Sequence, residues 1–292
     1  MPLPSPAEPL RQALIGQVRA LFNDQAKGQV PIQRSANAYC TPDSVAWRVH
    51  GDVTTMMVGG MAALLLEMLH PAALAGVWDH SNFRRDMLGR LRNTARFIAV
   101  TTYGDRTAAD AAIARVRRIH EYVQGTTPDG TPYRADDPHL LSWIHVAGAQ
   151  MFLDAWVRFA EPAMNAADRD RYWSDVAPIA RLLGADPVPQ TQAEAAALIA
   201  KFRPELEPGP RSREIARIIT TASLPSNFGP AAAPLQAMLT QAAIDLLPTW
   251  ARDMHDMRAS GLTRPLVDLA TGGLARTLQW AFRPEARTPV KA

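Results

Sequence analysis

The 292-residue sequence contains a single cysteine, Cys40. One thiol cannot form an internal disulfide, and it is too few for a cysteine-based zinc site or for an iron–sulfur cluster held by protein thiolates. Lysine is almost as scarce, since it occurs only at positions 27, 201 and 291. The net charge of +3 is too small an excess to indicate binding to nucleic acid. Any metal in this protein would therefore need His, Asp or Glu as its ligands.

Long apolar runs are missing as well. The first ten residues contain four prolines and lack the positively charged, apolar pattern of an export signal, which favours a cytoplasmic location. The most apolar segment, Met56 to Leu66, is well short of the roughly 20 residues that cross a bilayer, and Glu67 follows it directly. We therefore expect a buried helix here and no stable membrane insertion.

Helix signals recur from end to end of the chain. Residues typical of helix N-termini occur at Ser5, Thr107, Thr191 and Asp137-Pro138. Gly125 and Gly184 follow apolar periodic runs and predict helix ends, and the helix after Asp137 is expected to run to about Ala160. No segment alternates apolar and polar residues for long enough to predict a sheet. With 47% hydrophobic residues, the sequence predicts an all-α protein with a sizeable core.

Three prolines between Pro204 and Pro210 interrupt this helical pattern. They predict a division into an N-terminal helix and connector (residues 1–39), a helical core (40–203) and a C-terminal helical portion packed on the same core (204–292). The cluster Thr127-Pro128-Asp129-Gly130 predicts a turn rather than a linker between domains.

Two histidines are predicted to face the core. The helix after Thr107 has an apolar stripe consisting of Ala112, Ile113, Val116, Ile119 and Val123. His120 lies within that stripe, and His145 lies within the apolar stripe of the next helix. For one histidine alone, a core imidazole bonded to a backbone carbonyl is the more common arrangement. Two inward imidazoles on consecutive helices instead favour a cofactor pocket.

A haem needs a neutral imidazole on a rigid helix, a wide apolar slot, and cations or donors for its propionates. The segment Met87 to Val100 is predicted to be helical, and it places Arg90 and Thr94 one turn apart, where both can project into one pocket. A solvated Arg90 and an ordinary helical Thr94 are the alternative. Other arginines that can hold propionates, or that simply lie on the surface, are Arg84, Arg85, Arg92, Arg96 and, beside His120, Arg117.

Glu67 ends the apolar helix that follows Gly59 and Gly60. Burying a carboxylate without a partner is costly, so Glu67 is predicted to be either paired, for example with an arginine, or functional. The two glycines permit close approach of another helix or of a cofactor. The Met and Leu side chains expected to line an apolar substrate site are Met56, Met57, Met61 and Leu64 to Leu66.

Six segments, in this order and spacing, carry a resemblance to a known family: Ser44 to Val49, Gly59 to Pro71, Asp79 to Ser81, Arg90 to Thr94, Val116 to His120, and Tyr133 to His145. Together they resemble the catalytic domain of the MpaB-type oxygenases, which include the rubber-cleaving latex-clearing proteins. The resemblance covers about residues 40 to 160, with a weaker match to about 195. No single segment is specific, and the resemblance depends on their order.

The resemblance implies a globin-like helical core with additional helices, forming a single haem-binding domain. It implies haem b bound through its iron to His120, with Arg90 and Thr94 as polar groups of the pocket. It also implies an apolar substrate, dioxygen and an electron donor of unknown identity as partners, with cleavage of isoprenoid double bonds to carbonyl products.

One position departs from the family pattern. Rubber oxygenases have Arg-x-x-Lys-Thr, in which the lysine can occupy the distal iron position, whereas Asn93 stands there in this sequence. Asparagine is a poor iron ligand, so the sixth position is left open, filled by water or taken by another side chain, for which His145 and His80 are candidates. Glu67 is the nearest candidate for the glutamate base proposed for rubber oxygenases.

The sequence therefore predicts a haem b-dependent oxygenase that acts on an apolar, unsaturated, isoprenoid- or lipid-like substrate. The alternative is a non-catalytic helical protein that binds haem or a lipid as a sensor or carrier, which would show binding without turnover. A peroxidase is a third hypothesis. It would need a distal acid–base group and would act with hydrogen peroxide in the absence of dioxygen.

Overall fold

The computed structural model describes residues 7–22, 29–222, 230 and 232–282. The helices are α1 (Ala7–Phe22), α2 (Val45–Val49), α3 (Val53–Glu67), α4 (Pro71–His80), α5 (Met87–Tyr103), α6 (Arg106–Tyr122), α7 (Pro138–Phe159), α8 (Ala166–Leu183), α9 (Gln192–Phe202), α10 (Pro210–Thr221), α11 (Ala232–Leu246), α12 (Thr249–Met254) and α13 (Arg264–Phe282). The described residues include two strands, β1 (Gln124–Thr126) and β2 (Pro132–Arg134), which pair antiparallel. The predicted all-α fold is confirmed, although the hairpin between α6 and α7 was not predicted.

Helices α3 and α7 form the centre of the core. The side chains of α3 are apolar around the whole helix, and most of them are buried. Gly59 makes the contact with α7 possible, because a Cβ atom at this position would lie only 2.9 Å from the carbonyl oxygen of Met151 and 3.0 Å from the Cα atom of Phe152. The close helix approach predicted for the glycine pair is therefore confirmed at Gly59.

Most predicted helix ends are confirmed. The Asp137 carboxylate accepts hydrogen bonds from the backbone N–H groups of the first turn of α7, and Pro138 occupies the first helical position. Thr191 caps α9 through its hydroxyl, and Gly184 ends α8 with a φ of 104°, a conformation that glycine adopts without strain. The start signal at Ser5 lies outside the described residues.

Helix α6 differs from the prediction at both ends. It begins two residues earlier than Thr107 indicates, because the side chain of Asp105 accepts the capping hydrogen bond from the Thr107 N–H. It ends at Tyr122, so Gly125 lies in β1 and not at the helix terminus. Ile119, predicted in the buried stripe, is 51% exposed. The buried face of α6 is narrower than its apolar stripe because the helix packs mainly on α5 and α8.

The chain on both sides of residue 204 contributes to one core. Helices α10, α11 and α13 all pack against α3, as α7 does, while α5 contacts α6, α6 contacts α8 and α8 contacts α7. The three-part division of the chain stays a prediction. Among the described helices none is long and apolar enough to cross a membrane by itself, although α3 and α4, which are bent by 106° at their junction, meet the criteria of length and composition as a pair.

Candidate active site

A cavity of about 570 Å³ lies between α3, α5, α6, α7 and α8. Met56, Met57, Met61 and Leu64 form part of its apolar wall, as predicted. Leu65 and Leu66 do not line it, because they point to other sides of α3 and are packed in the core at 1% exposure each. The residues of α3 that line the cavity run from Met56 to Glu67, a distance of about 16 Å along the helix axis. The cavity is therefore elongated along α3.

Most of the predicted site residues line this cavity, namely Glu67, Arg90, Thr94, His120 and His145. Arg117 does not. It is exposed and absent from the lining, whereas Val116 and His120, one turn apart on α6, both face the cavity. Because consecutive residues of a helix differ by about 100° in direction, Arg117 points away from that face. The structure thus does not place Arg117 at this cavity, and its role as a cofactor-binding residue stays a prediction.

The two imidazoles are the least satisfied polar groups of the site. His120 Nδ1 and His145 Nε2 are buried, and neither has a hydrogen-bond partner among the described residues. Burial lowers the pKa of His145 to about 4, assisted by the positive charge of Arg181. Burial also lowers the pKa of His120, against the opposing effect of Asp136. Both rings are neutral at pH 7, which is the form of histidine that binds a metal.

The charges of Glu67 and Arg90 affect each other's pKa, although the two side chains do not form a direct ion pair. Burial raises the pKa of Glu67 to about 8, and the charge of Arg90 opposes this rise. Burial likewise lowers the pKa of Arg90, against the effect of Glu67. Arg90 Nη1 donates a hydrogen bond to Ser81 Oγ over 3.2 Å, which orients the guanidinium at the cavity wall. A carboxyl group with this pKa holds its proton at neutral pH and releases it slightly above.

Thr94 lies at the exposed edge of the cavity, next to Asn93. Its hydroxyl donates to the carbonyl of Arg90, 3.3 Å away and one turn earlier, as is common for threonine in helices. Asn93, at the position of the rubber-oxygenase lysine, also belongs to the lining.

Only one of the four other arginines predicted near the pocket, on α5 and just before it, lines the cavity. Arg92 lines the cavity, whereas Arg84 stacks on the Trp78 ring at 3.8 Å from its centroid and pairs with Glu214. Arg96 donates to a carbonyl of the preceding connector, and Arg85 is exposed. These three arginines lie at the surface, which was the alternative to a role in holding propionates.

His80 contacts the hairpin and not this cavity. It is exposed at the end of α4, and its Nε2 atom lies 3.2 Å from the carbonyl oxygen of Gln124 in the hairpin. It does not line the cavity. Of the two histidines predicted as candidates for that position, only His145 faces the cavity.

Sequence reasoning missed a second polar group in the cavity wall, formed by His50, Thr102 and Tyr172. His50 Nδ1 lies 2.9 Å from Thr102 Oγ1, and His50 Nε2 lies 3.1 Å from the Tyr172 hydroxyl. Burial lowers the pKa of His50 to about 4. These residues come from three distant segments, so no spacing in the sequence connects them.

A helical fold around an apolar cavity is typical of a protein that binds a small molecule or a cofactor in its interior, and here two neutral imidazoles, each with a buried nitrogen that has no partner among the described residues, face that cavity. The chain belongs to the family described as "ER-bound oxygenase mpaB/B'/Rubber oxygenase, catalytic domain", which matches residues 47–280. No curated protein and no solved structure matches the chain.

The family match confirms the predicted family and the predicted class of enzyme. The protein is an oxygenase, and therefore an oxidoreductase that uses dioxygen and a small-molecule substrate. This assignment favours the enzyme over the non-catalytic carrier that the sequence left open.

Proposed function

We propose that this oxygenase binds haem b through His120 and oxidises an apolar, unsaturated small molecule, with cleavage of a carbon–carbon double bond as the reaction. The observation that carries the proposal is the pair of neutral imidazoles, His120 and His145, whose buried nitrogens have no partner among the described residues and which face one apolar cavity.

The residues of the cavity fit a haem. A volume of about 570 Å³ is within the usual range for small-molecule and cofactor pockets. A histidine that binds haem iron has to be neutral and is best held on a rigid element such as a helix, and His120 near the end of α6 meets both conditions. Arg90 and Arg92 supply positive charge to the same wall, as propionates require. His145 is a second candidate for contact with the cofactor.

Haem iron, when bound, would supply the chemistry of dioxygen activation. The protein contributes a dry, apolar wall, which excludes water from the reacting groups. Arg90, held by Ser81, directs a positive charge into the site, and Thr94 contributes a hydroxyl at the edge. Glu67, with a pKa of about 8, can hold a proton near the reacting atoms and exchange it at neutral pH.

The wall also supports an apolar substrate. The side chains of Met56, Met57 and Met61 are flexible and can adapt to an irregular chain, and Phe97 and Phe152 continue the apolar surface. Such a lining gains free energy mainly from burial of hydrocarbon, which is consistent with an isoprenoid- or lipid-like compound.

The direct test is an absorption spectrum of the purified protein, with and without reductant and carbon monoxide. We expect a Soret band that shifts when carbon monoxide binds to the reduced protein. Oxygen uptake with an unsaturated isoprenoid, and detection of carbonyl products by mass spectrometry, test the reaction. Absence of a Soret band after supply of haem would refute the cofactor, and oxidation by hydrogen peroxide alone without dioxygen would favour a peroxidase.

A further inference from the structure

Two groups of polar side chains in the cavity wall lie far apart along α5. We call the region around Glu67 and Arg90 the Glu67 end, and the region around His50, Thr102 and Tyr172 the His50 end. Thr102 follows Arg90 by twelve residues on α5, and both line the cavity, so they lie about 18 Å apart along that helix. Apolar side chains occupy the wall between the two ends, including Phe97, Ile98 and Phe152.

The three groups of the His50 end form a chain of two hydrogen bonds with His50 in the middle. His50 contacts Thr102 Oγ1 at 2.9 Å and the Tyr172 hydroxyl at 3.1 Å. Thr102 is 3% exposed and Tyr172 is 0% exposed, and neither hydroxyl has another hydrogen-bond partner among the described residues. The imidazole is neutral at pH 7, because burial lowers its pKa to about 4, so it has one N–H and one acceptor nitrogen.

A count of hydrogen atoms shows that this chain is incomplete. Thr102, His50 and Tyr172 provide three polar hydrogens but make only two hydrogen bonds with one another. If Nδ1 carries the hydrogen, the Thr102 hydroxyl is left as a free donor. If Nε2 carries it, the Tyr172 hydroxyl is left free. Either tautomer therefore leaves one buried hydroxyl without an acceptor, at the wall of the cavity.

We propose that this hydroxyl donates a hydrogen bond to a neutral oxygen atom of the substrate. The substrate would then be an alcohol, aldehyde or ketone with an otherwise apolar, unsaturated chain, and not a pure hydrocarbon. The inference deepens the proposed function, because it supplies the end of the substrate that lies away from Glu67 and Arg90.

The surrounding charge disfavours an acidic headgroup. Asp154 and Asp175 lie close enough to Tyr172 to help raise the pKa of its hydroxyl, after the larger effect of burial. The Cys40 thiol in the same wall is neutral, because burial raises its pKa to about 12. A carboxylate at the His50 end would thus meet only neutral donors and the negative charge of Asp154 and Asp175, which Arg169 offsets in part at Asp154, whereas a hydroxyl or carbonyl oxygen would not be repelled.

Binding of three matched compounds tests this inference. Citronellol, citronellic acid and 2,6-dimethyl-2-octene share one skeleton and one double bond and differ only at the first carbon. Equilibrium dialysis of the purified protein at pH 7.5, with gas chromatography of the bound compound, gives a dissociation constant for each. We expect the acid to bind at least about tenfold more weakly than the alcohol. Equal or tighter binding of the acid would overturn the preference for a neutral oxygen.

Two isosteric variants locate the donor. Thr102→Val and Tyr172→Phe each remove one hydroxyl of the chain, and the quantity to compare is the affinity for the alcohol relative to the hydrocarbon. In one of the two variants this ratio should fall about 5- to 10-fold, as expected for loss of one buried hydrogen bond. Using the ratio cancels any general effect of the substitution on the cavity.

Thr101→Val is the matched control. Thr101 also lines the cavity, but its hydroxyl already donates to the Phe97 carbonyl over 2.9 Å, so the ratio should not change. An unchanged ratio in both Thr102→Val and Tyr172→Phe would overturn the proposal and indicate that only water satisfies the free hydroxyl. The result does not depend on haem. A missing Soret band would refute the proposed cofactor, while the change of ratio would still stand.

Discussion

The histidines that line the cavity have two different kinds of surroundings. At the His50 end, the imidazole has a partner on each nitrogen. Elsewhere in the same cavity, His120 and His145 each have a buried nitrogen without a partner among the described residues, and Glu67 and Arg90 lie near each other without an ion pair. A buried polar group without a partner is costly, so these two imidazoles are expected to be satisfied by something that binds. Burial of a histidine alone is therefore not informative, and its hydrogen bonds have to be counted.

The largest effect expected from this difference between the histidines is the loss of haem on substitution of His120. On the proposed function, His120→Ala should abolish the Soret band of the purified protein, because the iron loses its axial ligand. His80→Ala is the matched control, since His80 is exposed and bonded to the hairpin, and its spectrum should equal that of the wild type. Full retention of haem by the His120 variant would instead point to His145.

Glu67 should make stability depend on pH. Its pKa is raised from 4.5 to about 8 in the folded protein, so between these values the folded state holds a proton that the unfolded state has lost. The free energy of unfolding should therefore fall as the pH rises from about 4.5 to 8, by on the order of a few kcal/mol, and then level off.

Comparison of the wild type with Glu67→Gln isolates the contribution of Glu67 to this pH dependence. Urea unfolding at several pH values should show that the wild type loses stability relative to this variant across that window. Glu207→Gln, at an exposed carboxylate, serves as the control and should leave the slope unchanged. A slope that persists in Glu67→Gln would show that another group causes it.

The contact between α3 and α7, two helices that line the cavity, can be tested with a pair of adjacent glycines. Gly59→Ala should lower the free energy of unfolding by about 1–3 kcal/mol, because its Cβ would meet backbone atoms of α7 at 2.9 and 3.0 Å. In Gly60→Ala the nearest atom would be a carbon of the Phe152 ring at 3.7 Å, an ordinary contact. Similar losses in both variants, measured by urea unfolding, would contradict the close approach at Gly59.

The smallest of these effects distinguishes Arg90 from Arg117. Arg90 lines the cavity and Arg117 does not, so Arg90→Gln should weaken haem retention about tenfold and Arg117→Gln should leave it unchanged. Transfer of haem to excess apomyoglobin measures retention in both. If the Arg117 variant loses haem as fast as the Arg90 variant, the direction of the Arg117 side chain has been wrongly assigned.

Local signals in the sequence predicted the fold well. The caps at Asp137 and Thr191 and the glycine at 184 determine helix ends through contacts within a few residues, so they can be identified without the rest of the chain. Helix α6 shows where this fails. Asp105 competes with Thr107 for the same cap, and the exposure of Ile119 depends on how much of α6 its neighbours cover.

The candidate site was predictable only where its residues follow helical spacing. Arg90 and Thr94 lie one turn apart on α5, and His120 belongs to the apolar stripe of α6, so their common direction follows from the sequence. The same spacing cannot show that Arg92 reaches the cavity while Arg84 stacks on Trp78. Those outcomes depend on which neighbouring helix each arginine meets.

The sequence by itself determined the helical class, the likeness to an oxygenase family and the presence of two inward histidines, because each depends on residue types and on spacing within single helices. Only the tertiary structure decided that Glu67 and Arg90 face one cavity, that Arg117 and His80 do not, and that His50 joins Thr102 and Tyr172. Those relations link segments distant in the chain, and the packing of whole helices determines which side chains meet.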